Sequence, residues 1–138
     1  MLLRVKVFLI LTTIIATSCI YLGILGLKGV SRRITRRLFF LLCCSMAWFI
    51  FCAGLSVSSA EKEGVIFWYR LSSFGFAPFY AFNLHFYINL TFGGRTKPWV
   101  YLLYLPVPLI LGATLFSQSL FNEFIFINGN WRFYPAYS

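Results

Sequence analysis

The chain has 138 residues, of which 60% are hydrophobic and 11% charged, and its net charge is +9. A mean hydropathy of +0.82 excludes an ordinary soluble domain, in which only about half of the residues are apolar. The charge alone would suit nucleic acid, but the basic residues lie in the gaps between four long apolar runs. We therefore predict an integral membrane protein without a nucleic-acid partner.

Each apolar run is long enough for a helix that crosses a bilayer, which needs about 20 residues to cover about 30 Å of hydrocarbon. Barrel strands would alternate apolar and polar residues, whereas stretches such as 38–42 are apolar on every face. The runs predict four transmembrane helices, at about 5–27, 38–59, 65–92 and 99–120, followed by an outer loop at 121–138. Because the connecting loops are short, we predict a single all-α membrane domain over 1–138, folded as an antiparallel bundle.

The first run has features of a secretion signal, with a basic start and the sequence Ala16-Thr17-Ser18-Cys19. The run continues past Cys19 to Leu27, which favours a retained helix over a cleaved leader.

The distribution of basic residues predicts the topology. The loop after the first run contains five of them, Lys28, Arg32, Arg33, Arg36 and Arg37, and the loop after the third contains Arg95 and Lys97. The second loop holds Glu61, Lys62 and Glu63, whose charges roughly cancel. The positive-inside rule therefore places 28–37 and 93–98 in the cytoplasm, facing anionic headgroups, and the N-terminus, 60–64 and 122–138 outside.

In the second run, Trp48 lies near the middle, and we predict that it is packed inside the bundle. All four cysteines, Cys19, Cys43, Cys44 and Cys52, fall within apolar runs and form no CxxC pair. A thiol in such a place usually behaves as a small hydrophobe, so neither a metal nor another cofactor is expected.

Three polar residues of the third run are candidates for ligand binding: Arg70, His85 and Asn89. Arg70, about five residues into the predicted helix, could extend to the headgroups or pair with Glu63 or Glu123. His85 and Asn89 are four residues apart and share a helix face, opposite Asn83. They are interpreted as hydrogen-bonding residues between helices, with ligand contact and a proton-sensitive switch as alternatives.

Three prolines, Pro78, Pro106 and Pro108, fall within the third and fourth predicted helices, where we expect kinks. Catalysis is not expected, because the three carboxylates, Glu61, Glu63 and Glu123, lie at helix ends or in loops. The chain contains no phosphate-binding loop and no nucleophile–base pair.

Several motifs carry a resemblance to a known family. They are Arg37-Leu38-Phe39-Phe40-Leu41-Leu42 with Ala47-Trp48, Phe67-Trp68-Tyr69-Arg70-Leu71-Ser72 with Gly75 and Pro78, Leu84-His85-Phe86, Tyr104-Leu105-Pro106, and Gly129-Asn130-Trp131. Together they resemble the N-terminal seven-transmembrane sensor region of bacterial histidine kinases, which also precedes some diguanylate cyclases. The resemblance covers nearly the whole chain but includes only four of the seven helices, and no kinase or cyclase signature follows. It suggests a truncated reading frame or a stand-alone remnant of the sensor.

The resemblance implies a multi-pass sensory input module in the bacterial inner membrane, without catalytic activity of its own. Its expected partners are the lipid bilayer, a second copy of the chain, or a separate kinase or cyclase module. The alternative is a small oligomeric channel or transporter subunit, although a cation transporter would normally carry an acid near the centre of a helix, and none is present. A membrane enzyme is the third class, disfavoured by the lack of acid–base groups. The sensed ligand and the oligomeric state are not encoded in any recognisable motif.

Overall fold

The computed structural model describes residues 2–29, 32–59, 61–92, 98–116, 124–127 and 130–133. The elements in chain order are α1 (Leu2–Leu27), α2 (Arg33–Ser58), α3 (Lys62–Thr91), a 3₁₀ helix (Pro98–Tyr104), α4 (Pro106–Phe116), β1 (Phe124–Ile127) and β2 (Asn130–Phe133). The four α-helices agree with the predicted helical class.

The helices begin earlier than the apolar runs do. Helix α2 begins at Arg33 rather than at 38, and α3 begins at Lys62 rather than at 65. An apolar run marks the part of a helix suited to hydrocarbon, whereas Arg and Lys have high helix propensity and extend the helix beyond it. As a result, much of the predicted basic loop is the first turn of α2.

The predicted fourth helix, 99–120, is wrong as an α-helix in its first third. Residues Pro98–Tyr104 form a 3₁₀ helix, Leu105 is in a turn, and α4 begins only at Pro106. Proline lacks an N–H group and disfavours the α conformation in the residue before it, so it suits the first position of a helix. Pro106 therefore starts a helix instead of kinking one, and residues 117–120 lie outside the described part of the chain.

The segment predicted as an outer loop, 121–138, contains two short strands among its described residues. Strands β1 and β2 are antiparallel, with Phe124 opposite Phe133 and Ile127 opposite Asn130. In the sequence the strands are separated by Asn128-Gly129, a pair that is strongly favoured in two-residue hairpins. This pair is a signal from which the hairpin could have been predicted.

Three stretches of the described residues are long and apolar enough to cross a membrane: Val5–Leu27, Arg33–Ser58 and Pro98–Phe116. Helix α3 has 30 residues and is long enough, but it is not one of the three. It carries Ser72, Ser73, His85 and Asn89, all of which are buried within the fold. Of the four predicted spans, three are therefore helical stretches with the length and apolar composition that crossing a membrane requires.

Glycines allow α1 and α2 to approach each other closely. A Cβ atom added at Gly23 would lie 3.0 Å from Cβ of Cys43, and one added at Gly26 would meet the ring of Phe39. Farther along α2, Gly54 lies against the side chain of Thr12. Along the interface, the numbers of the contacting residues decrease in α1 as they increase in α2.

Helices α2 and α3 pack still more tightly. A Cβ atom added at Gly75 would lie 2.5 Å from the carbonyl oxygen of Ser45 and 2.7 Å from the backbone nitrogen of Phe49. At one end of the pair the rings of Phe39 and Phe86 are 5.9 Å apart, and at the other the hydroxyl of Ser56 donates to the carbonyl of Val65 at 3.2 Å. Backbone therefore meets backbone near the centre of this interface.

Arg36 caps the end of α1. Its Nη1 atom donates to the carbonyl oxygens of Leu27 at 3.0 Å and Gly29 at 3.1 Å. The last carbonyl groups of a helix have no partner within the helix, and a cation there also interacts favourably with the helix dipole. A side chain in the first turn of α2 thus fixes the connection to α1.

This cap can be tested with Arg36→Ala. We expect a loss of about 1 kcal/mol from the free energy of unfolding in detergent micelles, a modest value because the hydrogen bonds are exposed to solvent. Arg37→Ala is the matched control, because it removes the same charge from an exposed neighbouring position. Equal losses in the two variants would show that charge, rather than the cap, is responsible.

Candidate functional site

A histidine–tyrosine pair joins α3 to the 3₁₀ helix. The Nδ1 atom of His85 lies 2.8 Å from the hydroxyl oxygen of Tyr104, a hydrogen-bonding distance at which the tautomer decides which group donates. The ring of Tyr101 approaches the imidazole edge-on, with centroids 6.2 Å apart. Phe82 packs against Tyr104 at a centroid distance of 5.9 Å, so each member of the pair also contacts a further aromatic ring.

Asn89 lies one turn beyond His85 on the same face of α3. The exposed fraction of the side chain is 6% for His85 and 3% for Asn89. Among the described residues, the Nε2 atom of His85 and both amide atoms of Asn89 have no hydrogen-bond partner. The site therefore contains three buried polar atoms that form no hydrogen bond within the described part of the chain.

The same face of α3 is built from small residues before it becomes polar. Ala77 and Ala81 are 2% and 3% exposed, and they precede His85 and Asn89 at a constant spacing of four residues. Residues at this spacing lie above one another on a helix. The predicted shared face of His85 and Asn89 is present, and it is a buried one.

Arg70 belongs to a different part of the molecule. Because α3 begins at Lys62, Arg70 lies two turns into the helix rather than five residues into it, and it is half-buried. Fifteen residues separate it from His85, about 22 Å along the helix axis. The structure therefore brings together two of the three predicted ligand residues. Glu123, one of the suggested partners of Arg70, lies outside the described residues.

Trp48 corrects a prediction. It was expected to be packed inside, but 44% of its side chain is exposed. Its indole Nε1 donates to the carbonyl oxygen of Leu71 at 2.9 Å, so the polar atom faces α3 while the ring remains at the surface of the helix layer. Position along an apolar run fixes depth along the helix, but not the direction in which a side chain points.

Two apolar grooves flank Trp48 and Cys44. The groove toward α3 has a volume of about 550 Å³ and is also lined by Leu41, Ser45, Leu71, Phe74, Pro78 and Phe82. The groove toward α1 has a volume of about 360 Å³ and is also lined by Thr13, Ala16, Thr17, Ile20, Ala47 and Phe51. Pro78 lacks an N–H group, so the carbonyl of Phe74 loses its usual helical donor beside the first groove.

The described residues contain no group of three His, Cys, Asp or Glu side chains that could hold a metal ion. Cys52 is buried, and Cys19, Cys43 and Cys44 are half-buried free thiols. Glu61 and Glu63 are exposed at the opposite end of α3 from His85. Chemically, the polar side chains of His85 and Asn89 can form hydrogen bonds with a ligand or with a neighbouring helix.

Tyr101 and Tyr104 were not predicted as site residues. They lie on an element that the sequence describes only as the start of a hydrophobic segment, and no short-range pattern links them to His85. The one available signal was Pro106, which indicates that the helix before it is interrupted.

Comparison with known proteins gives one result. A family model described as the N-terminal 7TM region of histidine kinase matches residues 8–136, nearly the whole chain, and confirms the resemblance found in the sequence motifs. Searches of curated proteins and of solved structures found no match.

Proposed function

Because this chain belongs to the family of N-terminal 7TM regions of histidine kinases, we propose that it is a membrane-embedded sensory input module. The family match over residues 8–136 is the observation that carries the proposal. Its role would be to detect an external or membrane-borne cue and to pass it on by displacement of helices. Catalysis would belong to a kinase or cyclase module outside these 138 residues.

The proposal includes an antiparallel four-helix arrangement in a bacterial inner membrane. Three apolar spans support the membrane placement, and the paired positions of α1–α2 and α2–α3 support alternating directions. Helix α3 would cross with its serines, His85 and Asn89 turned into the protein. Polar groups in hydrocarbon are tolerated where they face other helices.

The orientation we propose has the N-terminus outside and the start of α2 in the cytoplasm. Lys28, Arg32, Arg33 and Arg37 are exposed, while Arg36 contacts the end of α1. Exposed basic residues next to a membrane resist translocation and attract anionic lipid headgroups, by about 1 kcal/mol each. The second cytoplasmic segment, 93–98, falls almost entirely outside the described residues.

Single cysteines at Arg33 and Glu63, each in a cysteine-free background, test this orientation. Both positions are exposed, so an impermeant thiol reagent can reach either one from its own side of the membrane. In intact cells we expect labelling at 63 and none at 33 until the membrane is opened. Labelling at 33 but not at 63 would reverse the orientation.

Photo-crosslinking in the native membrane tests the sensory role. A photoreactive residue at Leu41, which is 41% exposed beside the groove, would capture whatever covers this face. We expect a chain that carries a histidine kinase or cyclase module, identified by mass spectrometry.

The control places the photoreactive residue at Ile14, an exposed position of α1 outside both grooves. Capture of the same chain from both positions would indicate random collision in the membrane. Capture of copies of this chain alone, together with ion flux in liposomes, would favour the oligomeric channel or transporter.

A further inference from the structure

The hydroxyl of Ser45 stands apart from the other serine hydroxyls of the described residues, because it forms no hydrogen bond within them. The remaining six described serines each donate to a backbone carbonyl, as serine hydroxyls in helices often do. Ser45 is 7% exposed and lines the groove toward α3, and its oxygen is not one of the fully enclosed polar atoms. This hydroxyl is therefore open to the groove.

A second polar group at the groove is the backbone carbonyl of Phe74. Phe74 and Pro78 both line the groove and are one helical turn apart on α3, so the carbonyl that points from one toward the other lies at its edge. Pro78 has no N–H group with which to satisfy it. The close approach of Gly75 to the backbone of Ser45 brings the two polar groups to the same part of the groove.

The chemistry of these two groups restricts what can bind between them. The Phe74 carbonyl can only accept a hydrogen bond, whereas the Ser45 hydroxyl can donate as well as accept. A ligand that satisfies both must donate to the carbonyl and accept from the serine. A hydroxyl group does both with one oxygen atom, whereas an ether or a ketone can only accept.

The rest of the groove favours an uncharged, lipophilic molecule. Its lining includes the rings of Trp48, Phe74 and Phe82 and no charged residue, so an ion would find no counter-charge there. Its volume of about 550 Å³ is within the range of about 300–1,000 Å³ that is usual for small-molecule pockets. The structure thus has both the space for such a molecule and the apolar walls to hold it.

The depth of the groove excludes a phospholipid headgroup. Ser45 is the thirteenth of the 26 residues of α2, about 18 Å from either end of the helix. If α2 crosses the membrane, Ser45 lies near the centre of about 30 Å of hydrocarbon, where headgroups do not reach. An acyl chain could fill the groove but would leave both polar groups without a hydrogen bond, which is costly in hydrocarbon.

We propose that the groove between α2 and α3 binds an uncharged lipophilic molecule that carries a hydroxyl group. The hydroxyl donates to the carbonyl of Phe74 and accepts from Ser45, and the apolar part of the molecule packs against Trp48 and Phe82. That this molecule is the sensed cue rests on the proposed function, whereas its binding rests only on the proposed membrane placement.

The test compares para-hexylphenol with hexylbenzene, which lacks only the hydroxyl group. The full chain carries fluorotryptophan and is held in nanodiscs, with each compound added to the same mole fraction of the bilayer. Trp48 lines the groove, and its ¹⁹F NMR signal is assigned from Trp48→Phe. We expect a saturable shift of this signal with the phenol, and a preference of about tenfold over hexylbenzene, the usual value of two net hydrogen bonds.

Two variants each remove one of the two hydrogen bonds. Ser45→Ala deletes the hydroxyl, and Pro78→Ala supplies an N–H group that occupies the carbonyl of Phe74. Each should reduce the preference for the phenol to about threefold, and the two together should abolish it. Ser72→Ala is the matched control, because this buried hydroxyl already donates to the carbonyl of Tyr69 at 2.6 Å and lines neither groove.

The proposal is overturned if the phenol gives no saturable shift at Trp48, as expected for a groove filled by an acyl chain. Equal affinities for the phenol and hexylbenzene in the unmodified protein would also overturn it. So would an undiminished preference in Ser45→Ala, or in Pro78→Ala should the first variant not fold.

These results are independent of signalling. Binding of the phenol with no kinase or cyclase chain captured at Leu41 would support the hydroxyl site and contradict the sensory role. Capture of such a chain without a preference for the phenol would do the reverse.

Discussion

Gly75→Ala is expected to destabilise the protein by about 2 kcal/mol or more, the cost of overpacking a well-packed interface. The added methyl group would lie 2.5 Å from the carbonyl oxygen of Ser45 and 2.7 Å from the backbone nitrogen of Phe49. Both atoms belong to the backbone of α2 and cannot rotate away, so the two helices must separate. The free energy of unfolding in mixed micelles measures the loss.

Gly112→Ala is the control for the same substitution. A Cβ atom added at Gly112 in α4 meets nothing within 4 Å, so no contact opposes it. Alanine is favoured over glycine in a helix interior by about 0.5–1 kcal/mol, and this variant should be neutral or slightly more stable. A loss at Gly112 equal to that at Gly75 would show that the effect does not come from helix contact.

Trp48→Phe is expected to lower the free energy of unfolding by about 1 kcal/mol, the usual net value of one hydrogen bond. The substitution keeps an aromatic ring between the two grooves but removes the donor to the carbonyl of Leu71. Through this hydrogen bond the indole of Trp48 joins α2 to α3. Equilibrium unfolding followed by circular dichroism would measure the change.

Trp99→Phe makes the same exchange in the 3₁₀ helix, where the side chain is 48% exposed. The hydrogen bond of Trp48 has no counterpart at Trp99 among the described residues, so the expected loss is small. If both variants lost equal stability, the contribution of Trp48 would come from its ring rather than from its N–H group.

The helices were predictable because they depend on local properties of the chain. The ends of the first three helices lie within about a residue of their predicted positions, and the apolar runs identify each of them. The starts were predicted less well, because Arg33 and Lys62 continue a helix without being apolar. The fourth was predicted as one helix because its residues form one apolar run. Pro106 does not interrupt the hydropathy pattern, but it changes the backbone geometry and starts a separate helix.

The candidate site was predictable in part. Two polar residues four positions apart share a helix face in any helix, so His85 and Asn89 could be paired from spacing alone. Arg70 was grouped with them because all three are polar residues of one apolar run. Polarity alone does not show how far apart the residues lie along the helix. Tyr104 is nineteen residues from His85 in the chain, and only the packing of the 3₁₀ helix against α3 brings the two together.

The sequence by itself determined the family, the helical class and the uneven distribution of charge, because each follows from the order and type of residues. Only the tertiary structure decided that Gly75 is a backbone contact, that Trp48 is exposed with its N–H group bonded, and that His85 pairs with Tyr104. The physical reason is that these features depend on the rotation of each helix about its axis. Close packing between helices sets that rotation, and in helices that are apolar on every face the hydrophobic pattern does not specify it.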